Sequence, residues 1–341
     1  MRRRAFLRQS AALGLGASLA MNEALHAVPS RDEFEAEQAK RRKELWALLG
    51  DLPERKPSKA KLIRSERRDG YTLEYLELEL NGIEPVPAYL LLPDKRPKSA
   101  PGLLYIHWHG GTYPVGKEEL LTGQKVLPAY APVCAEKGIV TLAIDSWCFG
   151  KRQRNPDGRT GEMDAFKHML WNGQVLFGMM LFDEWQALNY LCGRPEVDAT
   201  RIGAFGLSMG ATKAWWLAAL DLRIKLCVDL CCLTDYEELI KIKNLKGHGI
   251  YYYVPKLLKH FQAHDINALI APRPRLSLNG RKDLLTPPAG VERIRDHVLP
   301  LYERYGKTED CRIELFDCGH EETPGMRKLV LDALDRYLVK V

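Results

Sequence analysis

The pattern of apolar and polar positions places three strands first along the chain. Between residues 71 and 80, leucines alternate with glutamates, which is the period-two pattern of a half-buried strand. Residues 86–92 and 102–108 are short apolar runs bounded by proline and glycine, so each predicts a further strand. No helical periodicity separates the three strands, and this predicts that they pair in antiparallel fashion.

Beyond residue 138, strand-length apolar runs alternate with helical stretches. Further strands are predicted at 139–144, 201–205, 224–230, 275–278 and 312–316, with helices at 183–192, 209–220 and in a final stretch that ends near Lys340. This alternation predicts an α/β fold in which a mostly parallel sheet lies between helices. The segments 146–174 and 236–267 fit neither element and are long enough to form loops or caps over a site.

The first 27 residues have the pattern of an export signal. Arginines precede an apolar run at 11–21 that is too short for a membrane span of about 20 residues. The order Arg3-Arg4-Ala5-Phe6-Leu7 resembles the twin-arginine signal, which implies a bacterial protein passed by the twin-arginine machinery to the periplasm or the exterior. An ordinary secretory signal and a fortuitously basic start are the alternatives, and small residues permit cleavage after Ala20 or Ala27. The predicted organisation is therefore a signal at 1–27, a helical lead-in at 28–70 and a catalytic domain at 71–341.

Composition excludes several classes of protein. With 46% hydrophobic and 28% charged residues, the chain resembles ordinary soluble proteins and not disordered, collagen-like or disulfide-scaffold chains. The net charge of +6 comes partly from the first 27 residues, and no run of basic residues suits a nucleic-acid groove. The eight cysteines include no pair of C-x-x-C motifs, so buried free thiols are expected, with a Cys311–Cys318 disulfide as the alternative.

The sharpest chemical feature is the pentapeptide Gly206-Leu207-Ser208-Met209-Gly210. It lies between a predicted strand and a predicted helix, where a tight turn projects a serine hydroxyl above the sheet and glycines relieve the crowding. Ser208 is therefore the predicted nucleophile.

A serine nucleophile needs a base, and the base needs a carboxylate to orient it. Asp283 and His320 each lie just beyond the end of a predicted strand, at the edge where open α/β sheets place their sites. Asp235, which follows the preceding strand, is the alternative to Asp283. We predict His320 as the general base and Asp283 as its orienting group.

Acyl transfer also needs donors for the developing oxyanion. The backbone N–H groups of Met209 and of Gly111, in His109-Gly110-Gly111, are the predicted donors, although His-Gly-Gly also forms ordinary turns. His107 and His109 share one strand face and resemble half of a metal site, but no companion ligand motif accompanies them. We expect neither a metal nor an organic cofactor.

With these motifs the chain resembles the α/β-hydrolase superfamily, and within it the dienelactone-hydrolase and acetyl-xylan-esterase-like branch of bacterial esterases. The resemblance covers residues 73–338 and is most specific at 182–220 and 270–283. It implies a mostly parallel sheet of the eight-stranded type with helices on both faces, and serine-ester hydrolysis by the triad named above. Dienelactone hydrolase itself uses cysteine, so Ser208 argues against that reaction. Glucuronoyl esterases carry Cys and Arg around the serine, where this chain has Leu207 and Met209.

The expected function is that of a secreted serine carboxylesterase that forms an acyl-enzyme on Ser208 and acts on a small-molecule or carbohydrate ester, acetyl esters included. A serine peptidase of the prolyl-oligopeptidase type and a non-catalytic binding protein on a hydrolase scaffold are the alternatives. Stable membrane insertion is not expected. Aromatic residues of the two irregular segments either stack on sugars and line an acyl pocket or simply pack the cap: Trp147, Phe149, Trp171, Tyr251, Tyr252 and Tyr253. Lys151, Arg152 and Arg154 either favour an anionic substrate or form a solvated loop face.

Overall fold

The strand patterns of the sequence form one mixed sheet in the computed structural model, which describes residues 31–340. The strands are β1 (Lys59–Arg68), β2 (Tyr71–Glu79), β3 (Val86–Pro93), β4 (Ala100–Ile106), β5 (Val140–Ile144), β6 (Val197–Leu207), β7 (Ile224–Leu230), β8 (Arg275–Gly280) and β9 (Cys311–Phe316). Their order across the sheet is β1-β2-β3-β5-β4-β6-β7-β8-β9. The pairs β1–β2, β2–β3 and β3–β5 are antiparallel, and all other neighbours are parallel. The predicted mostly parallel α/β sheet is confirmed. The antiparallel pairing predicted for the first three strands holds for β2 and β3 but is wrong for β4, which lies between β5 and β6 and is parallel to both.

Helices precede, connect and follow these strands. They are α1 (Arg31–Ala47), α2 (Glu119–Thr122), α3 (Ala131–Lys137), α4 (Gly158–Trp171), α5 (Leu176–Cys192), α6 (Met209–Leu220), α7 (Tyr236–Lys241), α8 (Ala263–Ala268), α9 (Pro288–Arg304) and α10 (Pro324–Leu334). One core cluster joins α5, α6 and α9 to one face of the sheet, and a second joins α3 and α10 to the other. Within β4, Leu104 and Ile106 enter the first cluster while Leu103 and Tyr105 enter the second, because successive side chains point to opposite faces.

The lead-in differs from the prediction. Residues 42–340 belong to one compact unit. The segment 28–70, predicted as a helical lead-in, contributes the edge strand β1 to this unit. This makes the sheet nine-stranded within residues 31–340, one strand more than the eight-stranded type. Almost every β1 residue is exposed and several are Lys or Arg, which is how edge strands avoid pairing with other chains. Because neither face is buried, β1 lacks the alternation that reveals a strand.

One helix was not predicted, and another begins earlier than predicted. Segment 146–174, predicted as irregular, contains α4, whose charged and glycine-rich sequence hides a short buried stripe at Ala165 and Met169. Helix α5 begins at Leu176, seven residues before the prediction, because residues 176–182 are buried on every side and show no amphipathic period. Segment 236–267 holds only short helices and turns, as expected of a cap.

The predicted export signal and both of its cleavage points lie outside the described residues. No helix within residues 31–340 is long and apolar enough to cross a membrane. All eight cysteines are free thiols, and the alternative Cys311–Cys318 disulfide is absent from the described structure.

Candidate active site

Ser208 occupies a sharp turn between β6 and α6. Its backbone angles are φ 58° and ψ −119°, a strained conformation for a residue with a side chain. A Cβ on Gly206 would lie 2.3 Å from the carbonyl carbon of Gly210, and a Cβ on Gly210 would lie 2.0 Å from the carbonyl oxygen of Ile106. Both glycines are therefore required for the turn to rest against the end of β4.

Asp283 and His320 meet at the same edge of the sheet. His320 Nδ1–H donates to Asp283 Oδ2 across 2.7 Å, and the carboxylate also accepts the backbone N–H of Leu285 at 2.9 Å. The two loops that carry them touch, since a Cβ on Gly280 would lie 2.0 Å from the carbonyl oxygen of Gly319. The buried carboxylate thus fixes the imidazole so that Nε2 is left to exchange a proton.

The alternative carboxylate, Asp235, serves a different purpose. Its side chain caps α7 by accepting the N–H of Glu238 at 2.9 Å and binds Arg293 Nη1 at 2.9 Å. Both contacts stabilise the start of a helix, and neither orients an imidazole. The geometry therefore favours Asp283 over Asp235 as the partner of His320.

The two predicted oxyanion donors are in different situations. Met209 N–H opens α6, where Ser208 makes no side-chain cap, so the helix start is available to an anion. Gly111, at φ 69°, donates its N–H to His109 Nδ1 at 3.1 Å. His109 Nε2 lies 3.3 Å from Glu162 Oε2 on α4. The Gly111 N–H is thus already bonded to a side chain of its own loop.

The suggestion of a metal site at His107 and His109 fits the structure poorly. His107 is buried, donates from Nδ1 to the Trp108 carbonyl at 2.7 Å and accepts the Ser146 N–H at Nε2. Burial lowers the pKa of His107 well below its ordinary value, so the ring stays neutral. Among the described residues, neither histidine belongs to a cluster of three ligand-type side chains. His107 instead ties the strand end to the loop after β5.

Sequence reasoning missed a third side chain beside the Asp283–His320 pair. One ligand-type atom from each of Cys231, Asp283 and His320 lies within 4.8 Å of the others. Cys231 follows β7 directly and has φ 51°, and its Sγ donates to the carbonyl oxygen of Glu321 at 3.5 Å. Burial raises the pKa of this thiol well above its ordinary value. The position of Cys231 at a strand's carboxyl end was the available signal, but the apolar run around it indicated only a buried thiol.

Most aromatic residues of the irregular segments pack the cap. Trp147, Phe149, Tyr251 and Tyr252 are all buried. Tyr251 stacks on His109 with a centroid distance of 5.7 Å, and Tyr252 stacks on His248 at 4.2 Å. Burial lowers the pKa of His248 to about 4, so this ring stays neutral below the cap. Trp171 is the contrast, with 89% of its surface exposed.

Charged residues beneath the site are buried and paired. Lys213, on the helix that Ser208 begins, donates to Glu184 Oε1 at 2.9 Å and to the hydroxyl of Ser146. Arg152, predicted to contact substrate or solvent, is buried against Asp183 at 2.8 Å. This corrects both interpretations of Arg152, which holds the loop after β5 from below.

Comparisons with known proteins agree with this architecture. The sequence model of the Abhydrolase family matches residues 18–286. YtaP of Bacillus subtilis (strain 168), which carries a provisional hydrolase name, is 45% identical over 303 residues, covering 88% of this chain and 100% of YtaP.

Solved structures share the fold at low sequence identity. A protein of Bacteroides fragilis NCTC 9343, provisionally named an acetyl xylan esterase, superposes with a TM-score of 0.68 at 21% identity, covering 92% of this chain and 85% of its own. A glucuronoyl esterase from Solibacter usitatus gives 0.62 at 18% identity, covering 86% and 91%. At these identities the likeness shows the fold alone.

Proposed function

The chain belongs to the Abhydrolase family, and from this premise we propose that it is a serine carboxylesterase acting through Ser208. The membership confirms the resemblance to the α/β-hydrolases and the prediction that the chain is a hydrolase. The observation that carries the proposal is the 2.7 Å hydrogen bond between His320 and Asp283, at the sheet edge where the serine turn also lies. A nucleophile elbow and a carboxylate-oriented imidazole at the same sheet edge are the elements that acyl transfer requires.

In the proposed reaction Ser208 Oγ attacks the ester carbonyl while His320 Nε2 takes the hydroxyl proton. His320 then gives this proton to the departing alcohol, and the acyl group stays on Ser208. Water attacks the acyl-enzyme by the same route, again with His320 as base, and releases the acid. Asp283 holds the imidazole in orientation and stabilises its charged form.

The oxyanion of each tetrahedral intermediate binds at the start of α6. Met209 N–H is one donor, and each such donor contributes about 3 to 4 kcal/mol. The second donor is Gly111 N–H, after the oxyanion displaces the His109 nitrogen that accepts it at 3.1 Å. This exchange is favourable because a hydrogen bond to an anion is roughly twice as strong as one to a neutral acceptor.

The substrate class proposed is that of carboxylic esters on carbohydrates, acetyl esters included. It is supported by the names of the two structural neighbours, which are an acetyl xylan esterase and a glucuronoyl esterase. The twin-arginine pattern supports export to the periplasm or the exterior, where such substrates occur. In this proposal residues 1–27 are the export signal and residues 71–341 the catalytic domain, with β1 added at its edge.

The test is hydrolysis of a panel of p-nitrophenyl acyl esters and of acetylated xylan by the purified protein. Ser208→Ala is expected to abolish turnover of every substrate that the parent protein hydrolyses. Asp283→Asn and Asp235→Asn form a matched pair, since only the first should lower kcat strongly. Undiminished turnover by Ser208→Ala, or no turnover of any ester by the parent protein, would overturn the proposal.

A further inference from the structure

The loop after β4 that carries His109 and Gly111, called here the oxyanion loop, contacts α4 at Glu162, and a concave surface lies at the carboxyl end of the same helix. This groove of about 830 Å³ is bounded by residues 51–59, by the turn between β2 and β3, and by the end of α4. None of the residues assigned above to the reaction lines it. Its size falls in the range of small-molecule sites, about 300 to 1,000 Å³.

The walls of the groove are fixed by hydrogen bonds. Gln186 Nε2 donates to the carbonyls of Lys56 and Leu80, at 2.9 and 3.0 Å, and so joins two walls. Asp51 N–H donates to the carbonyl of Gly173 at 2.9 Å, which joins the third wall at the end of α4. A groove held in this way loses little entropy when it binds a ligand.

Polar groups in the groove have unused hydrogen-bonding capacity. The side chains of Asp51, His168 and Gln174 form no hydrogen bond with any other residue of the described chain, and all three line the groove. Asn172 donates one amide hydrogen to the His168 carbonyl at 2.8 Å and keeps its side-chain oxygen free. Both donors and acceptors are therefore available to a ligand in the groove.

An exposed indole lies beside this wall without lining the groove itself. Trp171 is 89% exposed and lies one helical turn from His168 and next to Asn172, both of which line the groove. A flat apolar face beside free polar groups suits a ligand that is apolar on its ring faces and polar at its edges. Pyranose rings have this chemistry.

The charges of the groove favour a neutral ligand. Three carboxylates, from Asp51, Glu54 and Glu79, are opposed by the ammonium groups of Lys56 and Lys59. Lys56 and Glu54 are already paired at 3.0 Å. Because the charges nearly balance, the groove does not attract a polyanion electrostatically.

The groove is within reach of the nucleophile along the sheet edge. The amino end of β3 pairs with the carboxyl end of β5, so the β2–β3 turn lies at the same edge as Ser208. From β3 to β6 there are three strand spacings of about 4.8 Å, or about 14 Å. On α4, Glu162 at the oxyanion loop and Trp171 at the groove are nine residues apart, which is again about 14 Å.

We infer that this groove, with Trp171 beside it, is a subsite for a neutral saccharide chain that holds a polymeric substrate while Ser208 cleaves an ester at least about 14 Å away along the sheet edge. The inference rests on the proposed esterase function for its catalytic readout, but the binding it claims is measured separately. Small esters do not extend from Ser208 to the groove, and polymers do.

The catalytic test compares acetylated xylan with p-nitrophenyl acetate. Trp171→Ala is expected to lower kcat/KM on the polymer about tenfold relative to kcat/KM on the small ester, through a higher KM. The matched control is Leu222→Ala, which removes another exposed apolar side chain, 53% exposed, from the turn before β7 at the opposite edge of the sheet. The control should leave the ratio unchanged.

The binding test uses the Ser208→Ala protein in native gels that contain xylan or polygalacturonate. Xylan should retard this protein, and the added change Trp171→Ala or Gln174→Ala should remove most of the retardation. Equal retardation with and without Trp171 would overturn the subsite, and stronger retardation by polygalacturonate than by xylan would overturn its preference for a neutral chain. A parent protein that hydrolyses no ester while the Ser208→Ala protein still shows Trp171-dependent retardation would refute the proposed function and leave the subsite standing.

Discussion

Replacing Lys213 by methionine tests whether the buried charges below the serine turn stabilise the fold. The Lys213 ammonium is fully buried and contacts Glu184 Oε1 at 2.9 Å and the Ser146 hydroxyl. Glu184 is equally buried, and its Oε2 has no hydrogen-bond partner among the described residues. Burial lowers the pKa of Lys213 and raises the pKa of Glu184, so each charge depends on the other. Lys213→Met leaves the carboxylate without its cation.

The magnitude follows from the cost of an unpaired buried charge, which is about 3 to 5 kcal/mol. Unfolding entropy near the melting temperature is about 2.1 cal/mol/K per residue, so for roughly 300 ordered residues each kcal/mol lowers Tm by about 1.6 °C. Lys213→Met should therefore lower Tm by roughly 5 to 8 °C. Removing both charges in Lys213→Met with Glu184→Leu should recover most of this loss, because apolar replacements of a buried pair are often neutral.

Thermal unfolding followed by circular dichroism measures these shifts. The control is Lys328→Met, which removes an exposed ammonium 2.8 Å from Asp332 and should cost under about 1 kcal/mol. The reasoning would be refuted if Lys213→Met shifted Tm no more than Lys328→Met, since the buried Glu184 carboxylate would then not depend on its cation. It would also fail if the losses of the two single variants at Lys213 and Glu184 simply added in the double variant.

Four further outcomes are expected. Asp283→Asn should lower kcat by about 10³ to 10⁴-fold with little change in KM, because the imidazole loses its orienting carboxylate, and a drop below tenfold in ester assays would contradict this role. Gly210→Ala places a methyl group 2.0 Å from the Ile106 carbonyl oxygen and should reduce both Tm and kcat, whereas an unchanged pair of values would show that the turn can shift freely. Burial raises the pKa of Glu119 from 4.5 to about 8, so between these pH values the folded state holds a proton that the unfolded state releases. The free energy of unfolding should therefore fall by up to about 1.4 kcal/mol per pH unit as the pH rises through this interval. In measurements of Tm against pH, Glu119→Gln should flatten this decline, and an identical slope for the variant would contradict the assignment. Added Zn²⁺ should inhibit ester hydrolysis reversibly by engaging Cys231 with the Asp283–His320 pair, and equal inhibition of Cys231→Ser would exclude the thiol as a ligand.

The sheet was predictable where burial leaves a pattern in the sequence. The second half of β2 alternates because Leu76 and Leu78 enter one core cluster while Glu77 and Glu79 stay at least partly exposed. Strand β5 is apolar apart from Thr141 because both of its faces are buried. Strand β1 has neither pattern, since its position at the edge exposes nearly all of its side chains. Helix α4 was missed for a related reason: its few buried positions lie among charged and glycine residues, and contacts from Glu162 to distant side chains help to hold it in place.

The candidate site was predictable where chemistry follows strand ends. Ser208, Asp283 and His320 each come just beyond the end of a strand in the parallel part of the sheet, so position along the chain indicates position at the edge. The bond from Gly111 N–H to His109 was not predictable, because it depends on the direction of one imidazole. The location of the Cys231 side chain was not predictable either, because it depends on the positive φ of the Cys231 backbone. The exposure of Trp171 depends on which parts of the chain pack against the end of α4.

The loops around Ser208 are each supported from below by a buried polar side chain. Glu119 accepts the Trp108 N–H and the Tyr105 hydroxyl, the latter at 2.9 Å, at the start of the oxyanion loop. Glu162 accepts the Tyr113 hydroxyl at 2.8 Å further along that loop, and Lys213 binds Ser146 in the loop after β5. Glycine-rich loops have few side chains of their own to pack. Hydrogen bonds from buried side chains can therefore hold the backbone N–H donors of these loops in place before substrate binds. The polar groups buried beneath this sheet edge thus fix the backbone of the loops above it.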